Sequence, residues 1–304
     1  MIGQDAAAKL RHTLEKTEEL VVAPGVYDGF SARIAHQVGF DALYMTGAGT
    51  SASRLGHADL GIATQSDMIA HAGMIAGLDT RVPVIADADT GYGGPIMVAR
   101  TVELYARAGV AGLHIEDQVQ TKRCGHLAGK ECVSREIFVA RIAAARAARE
   151  RIGSPIVLIA RTDALQSEGY DAALARLRAA RDAGADMGFL EGITSTGEAI
   201  QAIWDLAPWP LLLNMVEHGA TPTITVEEAR KLGFRMVIFP FASIAPAYVA
   251  IKEGLEKLKQ TGVVGAPDYL SPKFVFEVCG LEESMRIDAE AGGAAFGAPA
   301  GSGA

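Results

Sequence analysis

Eight short apolar runs recur along the chain, at 20–24, 42–46, 82–87, 112–116, 156–161, 187–191, 211–214 and 236–240, each giving way to polar or glycine-rich residues. Continuous apolar runs of this length suit strands buried on both faces, as in parallel sheets. Between them, 31–38, 95–108, 135–151, 171–183, 196–206 and 225–232 carry apolar residues three and four apart, the period of a helix with one buried face. Gly39, Gly109, Gly184 and Gly233 stand just beyond four of these segments, where a left-handed residue closes a helix. Strand alternating with helix in this way predicts an α/β protein, a parallel eight-stranded (β/α)8 TIM barrel. A helix over 5–19 precedes the first strand. After the eighth come a helix over 247–260, a Gly/Pro linker over 262–267 and a helix over 271–279. We expect one domain over 1–304, with 262–291 as a C-terminal helical segment and 292–304 as a flexible tail rich in small residues.

Composition narrows the function classes. Of the 304 residues, 49 % are hydrophobic and 21 % charged, enough apolar material for a large core. A formal charge of −8 argues against a nucleic-acid partner, which needs clustered Lys and Arg. Three cysteines, Cys124, Cys132 and Cys279, make no disulfide framework, and a reducing compartment suits them. No apolar run approaches membrane-spanning length, and the acidic residues near the N-terminus do not fit a signal peptide. The expectation is a cytoplasmic protein that partners neither membrane nor nucleic acid.

Barrel active sites lie at the C-terminal ends of the strands, so the residues closing each run carry the functional weight. Asp87 and Asp89 are two apart, on one face if the strand continues through them. His114 and Glu116 repeat that spacing on the next strand, and Asp59 joins from the loop after strand two. Clustered carboxylates repel unless a divalent cation neutralises them. Oxygen donors with few direct carboxylates favour Mg²⁺, with Mn²⁺ as substitute. Zinc through Cys124, His126 and Cys132 has poor spacing.

The connection 118–133 is too long for an ordinary βα turn and has the character of a lid. It carries Cys124 among Lys122, Arg123 and His126, cations expected to favour the thiolate and permit proton transfer. Gly125 and Gly129 give its backbone freedom to close.

The motifs Tyr44-Met45-Thr46-Gly47-Ala48, Asp87-Ala88-Asp89-Thr90-Gly91-Tyr92-Gly93, His114-Ile115-Glu116-Asp117-Gln118 and Lys122-Arg123-Cys124-Gly125-His126 resemble the isocitrate lyase/phosphoenolpyruvate mutase superfamily. The last is similar to the loop of that superfamily's lyases, whose phosphonate mutases carry an asparagine there instead. The resemblance implies a Mg²⁺-dependent barrel enzyme that splits a 2-hydroxy di- or tricarboxylate into a 2-keto acid and a second carboxylic acid. It implies metal binding by Asp59, Asp87, Asp89 and Glu116, and substrate binding by Tyr44, Thr46, Gly47, Ala48, Gly125, His126, Arg161, Asn214 and Pro240. Cys124, Arg161, Glu191, Tyr44 and His126 are the implied catalytic set, with Cys124 as proton donor. It also implies a homotetramer whose C-terminal helix is exchanged between subunits. Methylisocitrate lyases carry an arginine after strand eight that the segment Ala242-Ser243-Ile244-Ala245-Pro246 lacks, and Pro240 stands where oxaloacetate hydrolases tend to have serine. The segments Gly47-Ala48-Gly49-Thr50 and Ala160-Arg161-Thr162-Asp163 are most similar to the 2,3-dimethylmalate lyase branch. Oxaloacetate hydrolysis, methylisocitrate cleavage and a catalytically silent dicarboxylate-binding barrel remain the alternatives.

Overall fold

The structure, a computed structural model, describes residues 4–293, so 294–304 of the expected tail lie outside it. Eight parallel strands close in chain order into a barrel: β1 (Val21–Val26), β2 (Leu43–Met45), β3 (Val84–Asp87), β4 (Gly112–Glu116), β5 (Val157–Thr162), β6 (Met187–Leu190), β7 (Leu211–Asn214) and β8 (Met236–Phe239). Val21 pairs with Met236 and Pro24 with Phe239, joining the first strand to the last, so no sheet edge is left open. Each strand overlaps one of the predicted apolar runs.

The barrel helices are α1 (Gln4–Lys16), α2 (Gly29–Val38), α3 (Gly47–Thr50, continued by a π-helical turn over Ser51–Leu55), α4 (Gln65–Ala76), α5 (Pro95–Arg107), α6 (Arg135–Arg151), α7 (Leu165–Glu168), α8 (Tyr170–Ala183), α9 (Thr196–Leu206) and α10 (Val226–Leu232). The amphipathic pattern does not mark α4, because apolar residues face both the core (Met68, Ile75) and solvent (Met74). Its start is written instead in a capping box: Thr64 Oγ1 accepts from the Asp67 N–H, and the Asp67 carboxylate accepts from the Thr64 N–H. The single turn α7 is also unannounced by periodicity.

Alternate strand positions fill the barrel. Tyr44, Ile85, Val157, Ile159, Met187, Phe189, Leu212, Met236 and Ile238 belong to one buried cluster, floored by Ala6, Ala7, Leu10 and Leu14 of α1. The outward positions pack against the surrounding helices in two further clusters.

By its contacts the chain divides at Pro246 into two compact units. The second, from Ala247, holds most of α11 (Ile244–Thr261), then α12 (Pro272–Val278) and α13 (Leu281–Glu290). Val278 is buried there, whereas Tyr248, Ile251 and Leu255 of α11 and Phe276 and Ile287 further on stand exposed. Among the described residues no helix is long and apolar enough to cross a membrane.

Candidate active site

The two-residue alternation that fills the barrel carries on upward into its mouth. Ile85 is followed by Asp87, Ile159 by Arg161, Phe189 by Glu191, Leu212 by Asn214 and Ile238 by Pro240, so on five strands the next inward position is one of the expected site residues. Parallel pairing aligns Asp87 with His114 and Glu116 with Arg161 on neighbouring strands.

The acids gather around a lysine. Lys122, 2 % exposed, brings its Nζ to 2.6 Å from Asp59 Oδ1 and 2.5 Å from Asp89 Oδ1. Asp89 reaches this place differently from expectation. β3 ends at Asp87, and Asp89 lies in a turn with φ 46°, its N–H donating to Asp87 Oδ1 at 2.8 Å. The two carboxylates are thus presented by a turn, not by one strand face. His114 Nε2 lies 2.9 Å from the Tyr44 hydroxyl and 3.7 Å from Asp87 Oδ1. Burial pushes the imidazole down to about 4, so the ring is neutral and shares a hydrogen bond with Tyr44. Burial, followed by the charge of Asp87, drives the Tyr44 phenol well above its ordinary value, which keeps it a protonated donor.

A hard divalent cation fits this donor set, though not as a ready-made inner sphere. Among the described residues no three of His, Cys, Asp and Glu converge at direct coordinating distance. Both Glu116 carboxylate oxygens are buried without a hydrogen-bond partner, with Arg161 Nη1 3.4 Å from Oε2. A buried carboxylate so placed calls for a cation or its water. Ligation through waters, the habit of Mg²⁺, is what Asp59, Asp87, Asp89 and Glu116 suit.

The thiol loop is folded down over the mouth. Its base is closed by an antiparallel bridge between Gln118 and Cys132, and the Gln118 amide holds both the Arg123 carbonyl (2.8 Å) and the Arg123 N–H (3.0 Å). The Cys124 N–H donates to the Asp59 carbonyl at 3.1 Å. The neighbouring cations do not make a thiolate: Lys122 is spent on Asp59 and Asp89, and the Arg123 guanidinium reaches the Ala128 carbonyl. Burial dominates and pushes the Cys124 thiol up, contrary to expectation, leaving it protonated and thus able to donate. Gly125 lies directly on the strand ends, where a Cβ would meet Arg161 Nη2 at 2.4 Å and the Glu191 carboxyl carbon at 2.7 Å.

Beneath the loop, Arg161 is surrounded by carboxylates. It donates to Asp163 from Nε (2.9 Å) and Nη2 (3.0 Å), lies 3.7 Å from Glu191 Oε2, and stacks 5.1 Å above the Phe189 ring. The Asn214 Nδ2 donates to Glu191 Oε2 at 2.9 Å. His126 Nδ1 accepts from the Ala220 N–H at 3.3 Å, which turns its Nε2 toward Glu191 Oε1 at 3.9 Å. Glu191 Oε1 and Asn214 Oδ1 have no hydrogen-bond partner, though buried.

Tyr44, Thr46, Ala48, Asp59, Asp87, Cys124, Gly125, His126, Arg161, Glu191, Asn214 and Pro240 all line one pocket of about 30 Å³. That is room for roughly one water, so a substrate enters only when the loop or wall moves. Gly47, Asp89 and Glu116 lie behind this surface. At Gly47 a Cβ would meet Asp87 Oδ2 at 2.3 Å, so glycine lets β2's end approach the acid. Thr46 caps α3, its Oγ1 accepting from the Gly49 N–H. Val216 and Phe241 complete the lining and were assigned no role from the sequence; nor were Lys130 and the motif residues Asp117 and Asp163, which hydrogen-bond to one another and to Arg161. The one available signal was spacing: Asp163 lies two beyond Arg161, on the same side of an extended chain.

A closed barrel whose mouth gathers several carboxylates, a buried arginine and a protonated thiol on a covering loop is laid out as an enzyme of the barrel class. The family model described as phosphoenolpyruvate phosphomutase matches residues 10–259, and the chain belongs to this phosphoenolpyruvate mutase/isocitrate lyase superfamily. A 2,3-dimethylmalate lyase of Eubacterium barkeri is 45 % identical over 82 % of this chain and 83 % of its own. A crystal structure of a 2,3-dimethylmalate lyase, trigonal form, superposes with TM-score 0.95 at 64 % identity, covering 96 % of this chain and 97 % of that one. An oxaloacetate acetylhydrolase bound to the inhibitor 3,3-difluorooxalacetate gives TM-score 0.95 at 61 % identity, over 97 % and 100 %. Within the superfamily this chain is a carbon–carbon lyase.

Proposed function

We propose that the chain cleaves a 2-alkylmalate of the 2,3-dimethylmalate type into a 2-keto acid and a carboxylic acid, with Mg²⁺ (or Mn²⁺) bound by Asp59, Asp87, Asp89 and Glu116. The observation that carries this reading is the shared pocket: a protonated Cys124 faces the same space as Arg161, Glu191, Asn214 and Asp87, with an apolar wall of Val216, Pro240 and Phe241. The bound cation supplies Lewis-acid charge to the substrate's 2-hydroxyl. Glu191, with one unpartnered oxygen, is the acceptor for the hydroxyl proton. As the C2–C3 bond breaks, its electron pair passes to C3 and C2 becomes the keto carbon. The Cys124 thiol delivers its proton to C3, while Arg161 balances the negative charge of the separating carboxylates. Tyr44 and the backbone at Gly47 and Ala48 hold the keto-acid end, and Thr46, Gly125, His126 and Asn214 complete its surroundings.

Oxaloacetate hydrolysis is the second reading, favoured by the acetylhydrolase likeness at 61 % identity. It needs an oriented water. Pro240, where a serine would supply a hydroxyl, offers neither a side-chain donor nor an N–H, and its neighbours on the wall are apolar. An apolar wall suits methyl substituents better. Keto-acid release from 2,3-dimethylmalate and methylisocitrate, and oxalate release from oxaloacetate, measured with Mg²⁺ and with EDTA, decide the matter. We expect dimethylmalate to lead; a clear preference for oxaloacetate overturns the ranking.

We further propose a cytoplasmic homotetramer with the C-terminal helical segment exchanged between subunits, 262–267 serving as hinge. The support is the exposed apolar face of α11, where Tyr248, Ile251 and Leu255 lie at helical spacing. Sedimentation equilibrium giving a monomer would remove this proposal.

A further inference from the structure

We infer that Lys130 is a positioning residue that makes closure of the Cys124 loop and alignment of Arg161 a single event, by holding the Gly125 carbonyl and the Asp163 carboxylate together. Its ammonium donates to the Gly125 carbonyl at 2.6 Å and to Asp163 Oδ1 at 3.0 Å, and its side chain is 1 % exposed. Taking an ammonium out of water is unfavourable unless its donors are satisfied. Lys130 lies on the same 118–133 connection as Gly125, so it reaches the strand-borne Asp163 only while the loop is down, and a loop that lifts must break one of its two bonds.

That carboxylate is the same one that orients the arginine. Asp163 Oδ2 accepts from Arg161 Nε, and Oδ1 accepts from both Arg161 Nη2 and Lys130 Nζ. Burial alone would push Asp163 up, yet Arg161 and Lys130 together bring it down to about 2, so it stays ionised. Its backbone is pinned from the far side, where the Asp163 N–H donates to Asp117 Oδ1 at 2.9 Å. Gly125 meanwhile leaves no room for a Cβ against Arg161 Nη2. Loop and guanidinium therefore touch directly and also share an ion pair, and Lys130 is the element that belongs to both.

The inference rests on Cys124 and Arg161 being site residues, but its test does not need the reaction. In the full chain, iodoacetamide labelling of each cysteine is followed by peptide mass. With Lys130→Met, Cys124 should label about tenfold faster, as expected when a local closure is lost, while Cys132 and exposed Cys279 keep their rates. Lys130→Arg, which keeps the charge, should restore most of the protection. A general loosening would accelerate Cys132 together with Cys124, and an unchanged Cys124 rate would mean the loop closes without Lys130; either result overturns the inference. If Lys130→Met does not fold, Lys130→Gln is judged by the same rates. Failure of the lyase reading would show instead as absent turnover with the labelling pattern intact.

Discussion

The Lys122 ammonium stands 2.5 Å from Asp89 Oδ1, so a cation carried on the loop itself neutralises part of the acidic cluster at the barrel mouth. Asp59 shares it at 2.6 Å. Removing it in Lys122→Met leaves the buried Asp89 and the half-buried Asp59 uncompensated, a loss of about 3–5 kcal/mol for a broken buried pair. A divalent cation then has more charge to neutralise, and mass action makes its stabilisation larger. Thermal melts in EDTA and in excess Mg²⁺ should show a lower melting point for the variant in EDTA and a larger Mg²⁺ shift than in wild type. Equal shifts would show that lysine and cation do not act on the same charge.

The Cys124 N–H donates to the Asp59 carbonyl, whereas its thiol makes no hydrogen bond to Asp59, Asp87, Asp89 or Glu116, the residues proposed to hold the cation. Cys124→Ser therefore should separate chemistry from cation binding. Turnover should fall by about 10²–10⁴-fold, the worth of a positioned general acid, while the Mg²⁺-induced melting shift stays as in wild type. Wild-type rates in the serine variant would take the thiol out of the mechanism.

Gly125→Ala tests the docking of the loop by sterics alone. The added methyl falls 2.4 Å from Arg161 Nη2, so loop or guanidinium must move. A displacement on that scale costs about 10²-fold in kcat. Unimpaired kcat would mean that the loop closes differently during turnover.

How legible was this arrangement in the chain? The barrel was written in the apolar runs, because strands buried on both faces cannot hide among polar residues. The α4 helix was not, since a helix with Met68 inside and Met74 outside has little periodicity to read. Arg161, Glu191 and Asn214 were singled out by the family resemblance, and the structure places each at the end of its strand or just beyond it, on the inward face and in the same pocket. Electrostatic partnerships were not legible. Lys122 sits two residues from Cys124 in sequence and reads as its activator, but a flexible four-carbon stem reaches Asp59 and Asp89 instead. The state of the thiol then follows from burial, which no local motif records. Asp89 illustrates a further limit, because two-residue spacing implies a common face only while the strand lasts, and here it ends at Asp87.

Asp163 offers a test in which stability and pH report on one carboxylate. Arg161 and Lys130 outweigh burial and hold it at about 2, below its ordinary 3.8. A depressed folded value means the carboxylate stabilises the fold above the unfolded pKa and loses that contribution as the pH falls from about 4 toward 2. Asp163→Asn abolishes the charge at every pH and leaves two buried cations short of a partner, at a cost of about 3–5 kcal/mol near neutrality. Urea denaturation at pH 7 should show the full gap between wild type and variant, and the gap should shrink through pH 3 as the wild-type carboxylate is itself protonated. A gap that stays constant over that range would mean the asparagine acts by shape, with the charge on Asp163 contributing nothing to the fold.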